Sequence, residues 1–221
     1  MRRSRIIIVL FLSATLLLGV SDFLAFDGSF RDALRNGQVE TVRDYLKSGE
    51  DVNGRVEYPG PSQLMTPLNI AAQNGDYHLA KLLISFGANP AVTNSYGNTP
   101  LLDFLGADDK PWDRKLFGLL LTTDLNTVNV DGQTALLYAA AYRDEYYVTN
   151  ILVRGGNINY QDSQGRTALH GAKTATIAKV LLQHGADKTI LDNDHRNPQE
   201  AALLEKRLEV AQAIAGFPDI R

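Results

Sequence analysis

No cysteine occurs among the 221 residues. That removes disulfide scaffolds, thiolate zinc sites, iron–sulfur clusters, cysteine nucleophiles and lipid-anchored cysteines together. Histidine is scarce as well. His78, His170, His184 and His195 are the four present, none at helical ligand spacing and none in an HExxH run, so no metal ligand is expected. Gly-rich phosphate loops and a GxSxG elbow are missing. Asp108-Asp109 and Asp192-Asn193-Asp194 lack the alternating ligands and terminal Glu of an EF-hand loop and read as solvated turns. A cationic excess is lacking too: 22 Lys+Arg face 25 Asp+Glu, a net charge of −3, which argues against a nucleic-acid partner. What remains is 44% hydrophobic and 21% charged, the composition of a chain able to bury a core.

The first five residues, Met1 to Arg5, carry three cations, and an uncharged run follows from Ile6 to Val20. With the small residues Gly19 and Ser21, this is the layout of a secretory signal peptide, and the expectation is a leader over residues 1–21 cleaved after Ser21. The rival reading is an uncleaved anchor. Fifteen helical residues span roughly 22 Å, short of the roughly 30 Å hydrocarbon core, so the mature chain is expected to have no membrane attachment. Residues 22–221 hold 19 cations and 25 anions, a net charge of −6. No Asn-X-Ser/Thr acceptor with a permitted X occurs, which leans towards a bacterial periplasm rather than a glycosylating pathway.

The mature region repeats itself. Thr66-Pro67-Leu68, Thr99-Pro100-Leu101, Thr134-Ala135-Leu136 and Thr167-Ala168-Leu169 follow one another at 33, 35 and 33 residues, and Asn197-Pro198 comes 30 residues later. After the Thr66 and Thr134 triads come small residues, Ala71-Ala72 and Ala139-Ala140, and further on in the repeat lies an apolar pair, as in Leu82-Leu83 and Leu181-Leu182. Gly87, Gly155 and Gly185 close that stretch, and Asn94–Gly97 and Asp162–Gly165 suit tight turns. Thr is suited to cap a helix and Pro to its first turn, the small pair lets neighbouring helices approach, and the apolar pair gives a second helix its buried face. No single unit covers its own apolar stripe; stacking does.

This pattern resembles the ankyrin repeat over roughly residues 27 to 217. The resemblance implies an all-α solenoid of six helix–turn–helix–hairpin units: 27–65 as N-terminal cap, 66–98, 99–133, 134–166, 167–196 and 197–217 as C-terminal cap. Phe30, Ala33, Gly37, Val42, Leu46 and Gly49 reproduce the skeleton in the first unit, and Glu205, Lys206, Arg207 and Glu209 are expected to keep the last one wet. The resemblance also implies that partners dock on the concave helix face and on the fingertips.

Departures from the repeat point to function. Gly49 to Thr66 is 17 residues where Gly87–Thr99 and Gly155–Thr167 are 12, so the first finger is longer and presents Tyr58 beside Pro59 and Pro61. The third unit puts Phe104-Leu105 at the small-pair position, lengthens its turn from Gly106 to Trp112, and has Thr122 where a glycine is due. In the fourth unit Tyr138 falls on the variable inner-helix position and Tyr142 on the exposed end of the same helix, while Tyr147 matches the core position of Leu79. Tyr is a favoured interface anchor, so Tyr138 and Tyr142, with fingertip residues Tyr96, Asn98, Gln133 and Arg166 and with Tyr58 and Trp112, form the candidate partner-binding set. The fifth unit has lost three residues between His170 and Ile177 and should leave a notch on the turn side.

Together these readings predict a non-enzymatic, cofactor-free, monomeric protein-binding module exported to the periplasm. The acidic mature charge suits a basic exported enzyme. Exported bacterial proteins similar to this one include small ankyrin proteins that neutralise or protect against envelope enzymes, and a cell-wall peptidase, whose substrate network is anionic and whose surface is often basic, is the expected class of target. The alternatives are a scaffold for an envelope complex, such as one handling oxidative stress, and an effector delivered into a host cell.

Overall fold

The computed structural model describes residues 29–58, 63–107, 113–121, 124–142 and 144–218. The expected leader, Trp112 and Thr122 lie outside the described residues. Eleven helices and one short hairpin are present among those that are described. In chain order they are α1 (Phe30–Arg35), α2 (Val39–Lys47), β1 (Val56–Glu57), β2 (Leu64–Met65), α3 (Pro67–Gln73), α4 (Tyr77–Ser85), α5 (Pro100–Gly106), α6 (Arg114–Leu120), α7 (Ala135–Tyr142), α8 (Glu145–Val153), α9 (Ala175–Gln183), α10 (Pro198–Leu204) and α11 (Leu208–Ala215).

The helices start where the sequence chemistry says they should. Thr66 Oγ1 accepts from the Asn69 N–H and Thr99 Oγ1 from the Leu102 N–H, with Pro67 and Pro100 in the first turn. Asp76, Asp113 and Asp144 cap the second helices of their units in the same way. Ser29 with Asp32, and Asn197 with Glu200, form capping boxes at the two ends of the stack. The second helices stop at Gly87, Gly155 and Gly185, with φ of 90°, 90° and 92°, where any other L-residue would be strained.

Two layers result. The inner helices α1, α3, α5 and α7 pack in succession, and the outer helices do likewise, α2 on α4, α4 on α6, α8 on α9 and α9 on α11. One cluster of buried side chains runs from Phe30 to Ile214, so the apolar seam is shared by all the units. Ala71, Ala72, Ala139, Ala140 and Ala202 are fully buried in it. Phe104 and Leu105, the bulky substitutes for a small pair, are buried as well. The Phe104 ring lies 6.1 Å from Phe117 on α6 and 6.2 Å from Tyr147 on α8, and Phe117 meets Tyr147 edge-on at 4.7 Å. An aromatic cluster thus fills the joint between the third and fourth units, with Tyr147 in the core as its register requires.

Fingers follow one hairpin design. Asn94, Asn129, Asp162 and Asp192 each donate their backbone N–H to the carbonyl four residues on. Successive fingers are tied by Ser95 N to Leu64 O, Val130 N to Tyr96 O and Asn193 N to Gln164 O. The lengthened first finger pairs β1 with β2, antiparallel, Val56 opposite Met65. At the far end the expectation of a polar outer face holds only in part. Leu203, Leu204 and Leu208 are 48%, 63% and 58% exposed. Arg207 has turned inward, for a reason that lies in the fifth unit.

Candidate functional site

The concave face is built on α7. Residues at i and i+4 share a helix face, so Tyr138 and Tyr142 stand one above the other with ring centroids 5.8 Å apart. Tyr142 is 53% exposed and Tyr138 is half-buried. Gly106 at the end of α5 lies beside the Tyr138 ring, where a Cβ would make an ordinary contact at 3.5 Å. Burial raises the Tyr138 phenol above its ordinary value, against a hydrogen bond with Asn129 that lowers it, so at neutral pH the hydroxyl is a neutral, orientable donor.

Behind Tyr138 lies a polar network that spans three units. Asp103, on α5, is buried and accepts from three side-chain amides: Asn69 at 2.7 Å, Asn98 at 2.8 Å and Asn94 at 3.0 Å. Asn129 in turn donates to Asn98 Oδ1 at 2.9 Å. Burial pushes the Asp103 carboxyl up to about 7, and the three amide donors only partly offset it. The chain Asp103–Asn98–Asn129–Tyr138 therefore runs from a buried acid to the concave surface.

The shortened fifth unit shows what the missing residues do. Its first helix is reduced to a turn over residues 168–171. His170 is fully buried, and its Nδ1 accepts from the Thr167 N–H at 3.1 Å. Nε2 must then carry the proton, which it gives to the Arg196 carbonyl 3.1 Å away. Burial holds this imidazole below its ordinary pKa. With no helix to continue, the carbonyls of His170 and Ala172 lack intrahelical partners. Guanidinium groups replace them. Arg207 bonds the Ala172 carbonyl and, at 2.6 Å, that of His170, and Arg166 reaches the same His170 oxygen at 3.1 Å. Glu205 bridges both arginines, at 2.9 and 2.8 Å.

The notch expected from the deletion is present, and it is continuous with the tyrosine face. An open cleft of about 410 Å³ is lined by Tyr138 and Tyr142 on one wall, Gln133, Asp162 and Gln164 at the finger end, and Arg166, Lys173, Glu205 and Arg207 opposite. Four of the eight sequence-chosen residues, Gln133, Tyr138, Tyr142 and Arg166, thus meet around one depression. Gln133 also donates to Asp162 at 3.0 Å.

The other four are placed differently. Tyr96 is 42% exposed on a more N-terminal finger, its hydroxyl accepting from Gln63 at 2.8 Å. Asn98 faces inward, its amide spent on Asp103 and its oxygen on Asn129, so it supports the face rather than presenting itself on it. Tyr58 was expected to be exposed. It is half-buried, donates to Asn74 Oδ1 at 3.1 Å and lies under the Arg35 guanidinium, because the paired β1–β2 finger folds its base back against the stack. Trp112 is outside the described residues. Sequence reasoning did not reach Lys173, Glu205 and Arg207 as part of the face; the deletion in the fifth unit was the signal for them. Among the described residues no group of three or more His, Asp or Glu is placed to hold a metal ion, and no helix is long and apolar enough to cross a membrane.

Comparison with known proteins agrees with the repeat fold. The family model described as "Ankyrin repeats (3 copies)" matches residues 30–104 and 113–192. The chain is 27% identical over 184 residues to the phosphocholine transferase AnkX of Legionella pneumophila, covering 80% of this chain but 19% of that protein. It is 28% identical over 163 residues to the human neurogenic locus notch homolog protein 1, of which it spans 6%. Solved structures match nearly end to end. An ankyrin-repeat domain of Acinetobacter baumannii aligns with a TM-score of 0.70 at 24% identity, over 84% of this chain and 95% of that one. A chain from the Bdellovibrio bacteriovorus complex of a predatory endopeptidase with its immunity protein aligns with a TM-score of 0.72 at 22% identity, over 87% and 99%.

Proposed function

This chain belongs to the ankyrin-repeat family, a family of protein-binding modules, and on that premise we propose that it binds an exported enzyme of the bacterial envelope and blocks it. A cell-wall peptidase is the target class. The observation that carries the reading is the concave face itself: two adjacent tyrosines with tilted rings, one of them mostly exposed, at the mouth of a cleft with charged walls. Aromatic anchors beside polar, hydrogen-bonding rims are the usual make-up of a protein interface. The structural neighbour supports the inhibitory direction, since there an immunity protein is found in complex with an endopeptidase. Export is supported by the basic start and the apolar run ending at Val20, with cleavage after Ser21.

Inhibition by this protein is occlusion without turnover. The mature chain, carrying −6, is drawn to a basic enzyme, and Tyr138, Tyr142, Gln133 and Arg166 cover the rim of its active site. It works as a monomer, using no cofactor. The experiment is titration of the envelope peptidase with the purified mature chain. Loss of activity should be stoichiometric, and the double variant Tyr138→Ala with Tyr142→Ala should need at least tenfold more protein for the same loss. Activity that persists at a large molar excess would refute inhibition. Equal potency of the double variant would refute the face.

A further inference from the structure

The walls of the cleft carry a charge that the rest of the chain does not. Arg166, Lys173 and Arg207 supply three cations, and Asp162 and Glu205 two carboxylates, so this spot is net positive on a chain of net −3. Nor are the two ends alike. Asp162 lies at the finger end, where the N–H groups of Gln164 and Arg166 and the Gln133 amide all point at it. At the notch end Glu205 is the one carboxylate shared by two guanidiniums, which also donate to the neutral carbonyls of His170 and Ala172. Neutral acceptors satisfy hydrogen bonds without cancelling charge. Lys173 completes the excess. It is exposed, its backbone N–H is fixed to the Ala140 carbonyl at 2.9 Å, and its ammonium has no carboxylate partner among the described residues.

We propose that the notch of the fifth unit is a carboxylate-reading subsite: it takes an Asp or Glu side chain from a loop of the protein partner, with the apolar neighbour of that side chain laid on Tyr138 and Tyr142. The occupant is an acidic protein loop, identified by charge complementarity to Lys173 and the Arg166–Glu205–Arg207 bridge. The loss of three residues that removed the helix is what created the space and brought in the guanidiniums. An inserted helix would have filled the first and made the second unnecessary. This deepens the binding face proposed above, and it adds a specificity rule. A partner that is basic overall, drawn by the acidic chain, must offer one acid at a defined place. A uniformly basic surface would meet like charge here.

The rule can be tested without knowing the partner. A capped tripeptide of phenylalanine, glycine and aspartate, and its asparagine counterpart, are titrated at millimolar concentration into the isotope-labelled mature chain, with backbone amide shifts as readout. The aspartate peptide should move the amides of Ala141, Tyr142, Gly171 and Lys173, with the asparagine peptide at least about fivefold weaker, and Lys173→Glu should abolish the preference while leaving the remaining spectrum in place. Equal binding of both peptides, no binding of either, or shifts centred elsewhere would each overturn the subsite. The two proposals fail separately. If Tyr138→Ala with Tyr142→Ala releases a captured partner but Lys173→Glu does not, the face stands and the carboxylate reading falls.

Discussion

Consider replacing Asp103 by Asn. The wild-type carboxyl is buried, receives three amide donors and no cation, and is pushed up to about 7 in the folded chain from 3.8 when unfolded. A folded-state pKa above the unfolded one means that folding takes up a proton. The stability this group contributes is fully present below about pH 4 and is lost as pH rises to about 7. The whole shift is worth about 4 kcal/mol, of which about 2–3 kcal/mol falls between pH 5 and pH 8. Asn has the same shape and does not titrate. Urea unfolding of both proteins at pH 5 and pH 8 therefore isolates the effect. Whatever Asn costs in amide clashes is common to both pH values, and other titrating groups cancel between the two proteins. The stability difference should move by about 2–3 kcal/mol in favour of Asn on going to pH 8. A difference that stays constant with pH would show that the three amides fully stabilise the charged form, and that burial does not dominate.

Further expectations follow from individual residues. His195 holds φ of 60° at the finger position where Gly97 and Gly165 hold 74°, so His195→Gly should raise stability by about 0.5–1 kcal/mol; a fall in melting temperature would argue against backbone strain there. Arg207→Met strips the Ala172 carbonyl of its guanidinium and should cost about 2–3 kcal/mol by denaturant titration. Arg166→Met should cost less, because Arg207 still holds the His170 carbonyl. His170, kept neutral by burial, contributes stability that is present above about pH 6.5 and lost as pH falls, so His170→Gln should flatten the acid limb of the stability profile. Tyr142→Ala should change stability by less than about 1 kcal/mol, since more than half of the side chain is already in water.

The fold was legible because its signals are local and repeated. Thr66, Thr99 and Thr134 cap helices, Ala71-Ala72 and Ala139-Ala140 lie at the helix–helix contacts, and Gly87, Gly155 and Gly185 turn the chain. Each of these roles depends on a few neighbouring residues, which the sequence displays. Tyr138 and Tyr142 were legible for the same reason, being four apart on one helix. What escaped depends on pairings that the repeat pattern does not display. Tyr58 looked free until a hairpin register and the Asn74 oxygen drew it in. Asn98 looked like a fingertip side chain until Asp103, five residues on, claimed it. Arg207 looked like a side chain that only keeps the last unit wet, yet it bonds a carbonyl left by a helix lost 35 residues earlier. The deletion was visible, and so was the notch it implied, but its chemical lining comes from the next unit.

The central claim is that recognition takes place on the concave ridge between the fourth and sixth units. Hydrogen exchange of the mature chain, free and saturated with its captured partner, tests it most directly. Protection should grow over residues 133–142 and 164–173 while the outer helices α2 and α4 exchange as before. Protection gained on those outer helices, with the α7 face left unchanged, would contradict it.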